Sequence, residues 1–293
     1  MARSLPRALL VEARPKQWIK NLLVFAAPGA AGVLDDPGNL GRTVAAFVCF
    51  CLAASGTYFL NDAADVEADR RHPKKRLRPV AAGEIPVGTA RVLGVLGIAA
   101  AVVGALAVAT NLAIVVASYV ALTTIYSHWM KHVAVLDVVG VAAGFVLRAI
   151  AGATAVDVPI SDWFFIVTSF GSLLMVVGKR RAEGEELGED AAEFRPTLGM
   201  YPAPYLAQLQ TVSVSVVLVG YCLWAFEKAS LSSASIPWFE ISIAPFVVAV
   251  LRYALLLDTG HGGAPEDVVM GDRMLLATGA VWALAFVIGV YAT

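Results

Sequence analysis

Charge is what this chain has least of. Asp, Glu, Lys and Arg make up 15% of its 293 residues, where a soluble domain carries roughly 25%. Apolar residues reach 58%, and the mean hydropathy is +0.72. So much apolar surface excludes a single water-soluble core and makes the bilayer the natural solvent. The net charge of -1 gives no basic surface for nucleic acid. Cysteine is scarce too: Cys49, Cys51 and Cys222 sit in apolar runs, without zinc spacing, and read as small buried side chains. His72, His128, His132 and His261 have no ligand spacing either. No Ser/His/Asp arrangement, P-loop or dinucleotide fingerprint occurs. The N-terminus is basic but no small-residue cleavage site follows, so the first apolar run is expected to remain as an anchor.

What is present is a series of long apolar runs. A spanning helix needs roughly 20 such residues. Nine segments meet this: about 17–34, 41–60, 87–109, 111–128, 133–155, 160–178, 204–226, 237–257 and 273–291. Polar loops are expected at about 61–86, 179–203 and 258–272, within one transmembrane domain covering residues 1–293. Nine spans put the termini on opposite sides. With the N-terminus inside, only Arg42 and Lys228 fall outside and Arg148 lies within a span; every other Lys and Arg shares the side of the three polar loops. The positive-inside rule therefore predicts a multi-pass inner (plasma) membrane protein with a cytoplasmic N-terminus and cytoplasmic polar loops.

The chemistry concentrates at the end of the second span, in Asn61-Asp62-Ala63-Ala64-Asp65-Val66-Glu67-Ala68-Asp69. If the helix continues past Leu60, Asn61, Asp65 and Asp69 share one face with Asp62 beside them. Stacked carboxylates repel unless a cation sits among them. Mg²⁺ takes oxygen ligands, commonly one or two carboxylates plus substrate phosphates. A solvated acidic helix end is the plain alternative. The basic stretch Arg70-Arg71-His72-Pro73-Lys74-Lys75-Arg76-Leu77-Arg78 follows at once. It could set topology, meet anionic lipid heads, or neutralise the rest of a metal–diphosphate. Tyr58, one turn before Asn61, is expected to point into the same pocket.

Asn-Asp-x-x-Asp-x-x-x-Asp, with Arg78-Pro79 and Gly83-x-Ile85 after it, resembles the first signature of the UbiA superfamily of intramembrane prenyltransferases. The stretch Arg14-Pro15-Lys16-Gln17-Trp18-Ile19-Lys20-Asn21 is similar to that family's entry to its first helix. The resemblance implies an all-α integral membrane fold of nine helices around a central cavity open to the cytoplasm. It also implies Mg²⁺-dependent transfer with a polyprenyl substrate. Asn61, Asp62, Asp65 and Asp69 are then the metal-binding residues, and the three aspartates the catalytic ones.

The chain departs from that family at one place. Members usually carry a second Asp-x-x-x-Asp after the sixth span; here the loop reads Lys179-Arg180-Arg181-Ala182-Glu183-Gly184-Glu185-Glu186. One acidic motif facing a basic one suits two phosphorylated substrates, only one of them bound as a metal–diphosphate. With Arg195-Pro196-Thr197-Leu198 and Tyr201, this pattern resembles the branch that moves phosphoribosyl from 5-phosphoribosyl 1-diphosphate (PRPP) to decaprenyl phosphate for cell-wall arabinan. Substrate contacts are expected from Lys16, Lys20, Tyr58, Lys74, Lys75, Arg78, Lys179 and Arg180. Tyr126, Lys131 and Asp137 cluster near one cytoplasmic turn and join them. Arg148, ~16 Å along the helix from Asp137 and on the same face, is an embedded charge expected to bind substrate phosphate in the cavity, or else to pair with a neighbouring helix. Two other readings stay open: prenyl transfer to an aromatic acceptor, which the missing second motif disfavours, and a non-catalytic transporter or lipid-binding protein. The oligomeric state stays open as well, a homo-oligomer included.

Overall fold

The computed structural model describes residues 3–188, 196–259 and 265–292. Helices dominate it, as they must where no water can satisfy the backbone. Eight helices among the described residues are long and apolar enough to cross a membrane. They are α3 (Pro37–Ala64), α5 (Val87–Val108), α6 (Thr110–His128), α7 (Leu136–Val156), α8 (Asp162–Leu187), α9 (Ala203–Leu231), α10 (Trp238–Asp258) and α12 (Arg273–Tyr291). Short helices α1 (Leu5–Glu12), α2 (Ala26–Ala30), α4 (Val66–Arg71) and α11 (Pro265–Gly271) complete the order. The expected break at Thr110-Asn111 is a single extended residue, Ala109, between α5 and α6.

The first expected span, 17–34, is not one continuous α-helix. A 3-10 helix covers Pro15–Phe25, and α2 follows. Pro28 supplies the reason. It has no N–H to offer the Val24 carbonyl four residues back. That carbonyl instead faces Gly152 of α7, where a Cβ would lie 1.7 Å from the oxygen.

Two compact units emerge. The first comprises Met1–Gly29, Val33–His128 and Leu147–Pro159. Here α3 lies along α5 and α6 around Phe50, Leu112, Val116 and Tyr119. Gly56 and Gly94 let α3 and α5 touch backbone to backbone: a Cβ on Gly56 would meet the Gly94 carbonyl at 2.8 Å. The second unit comprises Ala30–Gly32, Trp129–Val146 and Ile160–Thr293. It packs α8, α9, α10 and α12 through Leu174, Leu256, Leu257 and Leu275, and through an aromatic cluster of Tyr221, Trp224, Phe239, Trp282 and Phe286.

Candidate functional site

In the first unit the acidic run is carried out of the apolar helix by helix continuity. α3 runs past Leu60 to Ala64, and Asp65 closes it, its N–H on the Asn61 carbonyl at 2.9 Å. α4 then starts at Val66. That break changes which side chains meet. Asn61, Asp65 and Asp69 were expected on one face. Instead Asp62 and Asp69 are buried together, while Asp65 is exposed and Asn61 half-buried.

Arginines join the buried pair. Arg78 Nη1 donates to Asp62 Oδ1 at 3.0 Å and to Asp69 Oδ2 at 2.7 Å. Arg14 Nη2 donates to the other Asp62 oxygen at 2.5 Å. Its guanidinium lies 4.3 Å from the Tyr58 ring centroid, so Tyr58 does join this network. Arg14 itself sits in the left-handed region, φ 53°. Arg78, expected as a phosphate ligand, thus first serves to hold two carboxylates. His72 Nδ1 accepts the N–H groups of Lys74 and Lys75, both at 3.2 Å, fixing the turn that carries these exposed lysines.

Sequence reasoning missed Glu12. It is 1% exposed, and neither carboxyl oxygen has a hydrogen-bond partner among the described residues. Burial, and then Asp62 beside it, push its pKa up to about 8. Beside it Arg14 and Arg78 face Asp62 and Asp69, two cations for two carboxylates. The signal was there: an acid inside Leu9-Leu10-Val11-Glu12, in an otherwise basic N-terminus.

Divalent-metal binding can be tested on these donors. Asn61, Asp62, Asp65 and Asp69 offer only oxygens, the right chemistry for a hard cation. Among the described residues no three His, Cys, Asp or Glu side chains form a ready metal cage.

In the second unit the basic motif lies on a helix, not in the expected loop. α8 continues through Lys179-Arg180-Arg181 to Leu187, because Ala, Glu and Leu propagate it until Gly188. Arg180 is buried. Its Nε donates to Asp137 Oδ2 at 3.0 Å and its Nη1 to Glu183 at 2.9 Å. Asp137, wholly buried, also accepts from Thr197 Oγ1 at 3.2 Å and from the Tyr201 hydroxyl. Burial, and then the Asp137 carboxylate, push the Tyr201 hydroxyl well above its ordinary range. That hydroxyl accepts the Val135 N–H at 2.6 Å. Val135 is held at φ 70°, a costly conformation for a β-branched residue. Arg181 pairs with Asp258 and Gln210. Lys179 is 3.7 Å from Glu183 and half exposed. A cavity of about 340 Å³ is lined by Arg180, Arg181, Gly184, Leu198, Gly199 and Tyr201 among others.

Asp137 and Arg148, at different levels of α7, bond to different side chains. Asp137 serves Arg180, Thr197 and Tyr201. Arg148 belongs to a separate buried network, donating to Asn21 Oδ1 at 2.7 Å and to the Tyr119 hydroxyl at 2.9 Å. Its guanidinium is 4.7 Å from the Tyr119 ring. Asn21 donates in turn to Cys51 Sγ at 3.2 Å. Lys16 is exposed, and Lys20 reaches Gln17 at 2.6 Å. Tyr126 is half-buried near the end of α6, and Lys131 is half-buried in a 3-10 turn, Met130–His132. Arg195 and His261 lie outside the described residues.

The chain is similar to known proteins in both sequence and fold. Residues 22–278 match the UbiA prenyltransferase family. The decaprenyl-phosphate phosphoribosyltransferase of Corynebacterium glutamicum is 42% identical, covering 99% of this chain and 88% of that protein. That of Mycolicibacterium smegmatis is 44% identical, covering 96% and 91%. A UbiA homolog from Archaeoglobus fulgidus bound to GPP and Mg²⁺ shares the fold, with a TM-score of 0.71 over 98% of this chain and 100% of that one, at 18% identity. The resemblance first read from residues 61–69 is thereby borne out, and this multi-pass membrane protein belongs to the UbiA prenyltransferase family.

Proposed function

We propose that this protein transfers the 5-phosphoribosyl group of PRPP to decaprenyl phosphate. The products are decaprenylphosphoryl-5-phosphoribose and diphosphate, and the lipid product serves cell-wall arabinan synthesis. Relatives at 42% and 44% identity over most of both chains, named for this activity, support the reading. The observation that carries it within the chain is the basic motif Lys179-Arg180-Arg181, anchored by Asp137, where an acidic second motif would suit a prenyl diphosphate donor.

Asn61 and Asp65 are the residues we assign to holding Mg²⁺, with Asp62 and Asp69 behind them. When bound, that ion would supply charge neutralisation on the departing diphosphate. Arg14 and Arg78 keep Asp62 and Asp69 oriented. Lys74 and Lys75 bind donor phosphates from the adjoining turn. Lys179 meets the lipid phosphate, with Lys16, Lys20 and Lys131 as further cations. The C1–O bond to diphosphate breaks as a lipid-phosphate oxygen bonds to C1. That oxygen is already anionic, so no strong general base is required. In-line displacement gives inversion at C1, and alignment of a polar with a lipid substrate supplies much of the acceleration. The site is assigned to the cytoplasmic side of the inner membrane by the distribution of Lys and Arg.

Two substrate pairs test the reading: labelled PRPP with decaprenyl phosphate, and a prenyl diphosphate with an aromatic acid, each with Mg²⁺. Label is expected in the lipid product of the first pair. Turnover of the second pair alone overturns the assignment.

A further inference from the structure

The N-terminal helix has two unlike faces. Ala8 and Glu12 are buried and Leu9 is half-buried, packing with Phe59, Ala63, Val80, Ile85 and Ala90. On the rest of the same short helix Leu5 is 54%, Leu10 59% and Val11 42% exposed. Eight residues reach only ~12 Å, far short of a span, so this apolar face has no route through the bilayer.

The basic turn after α4 lies against the start of this helix. Arg3, just before α1, donates to the Leu77 carbonyl at 3.3 Å and pairs with Glu84 at 2.7 Å. Leu77 is itself 64% exposed. Arg7 on α1, and Arg71, Lys74, Lys75 and Arg76 around Leu77, are all exposed. The turn is already ordered, by His72 under Lys74 and Lys75 and by Arg70 Nε on the Ala81 carbonyl at 3.3 Å. Topology alone needs cations on one side of the membrane. It needs neither their ordering nor exposed leucines set among them.

Exposed apolar side chains interleaved with cations, on a helix too short to span, are the features of a surface lying in the bilayer interface. We infer that α1 and the turn 71–77 form a docking surface for anionic phospholipid headgroups of the surrounding membrane. Leu5, Leu10 and Leu77 enter the acyl boundary, while Arg7, Arg71 and Arg76 meet lipid phosphates. Lys74 and Lys75 remain with the donor substrate.

Full-length protein in nanodiscs of phosphatidylcholine with a minor share of phosphatidylglycerol gives the test, retained lipid being counted by native mass spectrometry. Phosphatidylglycerol is expected to exceed its bulk share by about fivefold or more, the scale of one basic residue at an anionic surface. The excess should fall as sodium chloride is added. The R7Q/R71Q/R76Q variant should bring it to the bulk share, and R7K/R71K/R76K should keep it. Retention at bulk ratio by the wild type, or unchanged excess in the glutamine variant, overturns the inference. So does removal of the excess by millimolar inorganic phosphate, which would mark a discrete phosphate site. If the glutamine variant fails to fold, the wild-type salt series and the lysine variant still decide.

Discussion

Arg78 holds Asp62 and Asp69 together: one guanidinium nitrogen reaches both carboxylates, at 3.0 and 2.7 Å. Both aspartates are almost wholly buried, so each depends on that nitrogen or on Arg14 for its charge balance. Arg78→Ala should therefore destabilise the protein by roughly 3 kcal/mol, the scale of breaking a buried ion pair. It should also cost more than about tenfold in rate, since positioning errors of an ångström have effects of that size or more. Arg78→Lys should recover part of the stability and less of the rate, because an ammonium lacks the fork. Thermal unfolding in detergent and initial rates of transfer measure the two separately.

Asp137 neutralises Arg180 at a place where neither side chain meets water. Asp137→Asn removes the buried one of the two carboxylates on Arg180, leaving Glu183 at 2.9 Å, and is expected to cost about 3 kcal/mol, the lower end for breaking a buried pair. Tyr201→Phe removes one hydrogen bond to the same carboxylate and should cost about 1.5–3 kcal/mol. The ordering of the two unfolding midpoints, Asp137→Asn below Tyr201→Phe below wild type, checks the network.

Two glycines should respond in opposite ways to alanine. At Gly152 a Cβ would lie 1.7 Å from the Val24 carbonyl oxygen, a backbone atom with nowhere to go. Gly152→Ala is expected to cost about 3 kcal/mol or more, the upper range for overpacking. At Gly41, within α3, a Cβ meets nothing within 4 Å. Gly41→Ala should stabilise by roughly 0.5–1 kcal/mol through helix propensity. Paired melting curves decide both.

Acid should act through Asp272. The Arg252 guanidinium, and then the Leu275 N–H it caps, hold this carboxyl below its ordinary 3.8. Its folded-state pKa is depressed, so its contribution is fully present above pH 3.8 and is lost as pH falls through the lower, folded value. The gap in melting temperature between wild type and Asp272→Asn should be constant above that pH and close below it.

The sequence exposed most of the architecture because lipid forces long, uninterrupted apolar runs. Expected spans 87–109 and 273–291 match Val87–Val108 and Arg273–Tyr291 closely. It failed where local backbone chemistry overrode hydropathy, as at Pro28, and where helix propensity ran on beyond the apolar stretch, as at Lys179-Arg180-Arg181. In the candidate site the residue types were readable from the run 61–69, but their partners were not. The helix break at Asp65 decides that Asp62, not Asn61, faces Asp69. Pairings across long sequence separation, Arg14 with Asp62 and Asp137 with Tyr201, leave no local pattern.

Asp65 is exposed beside that buried pair, and the proposed chemistry asks most of it. Changing it should barely touch folding, since exposed substitutions usually stay within about 0.5 kcal/mol. The decisive measurement is Mg²⁺-dependent transfer from labelled PRPP to decaprenyl phosphate by wild type and by Asp65→Ala, alongside their melting curves. The expected result is an unchanged melting temperature with labelled lipid reduced by at least about a hundredfold, a loss of roughly 2.7 kcal/mol or more in transition-state stabilisation. Wild-type levels of Mg²⁺-dependent product from Asp65→Ala would contradict the assignment of the acidic run as the seat of the metal–diphosphate.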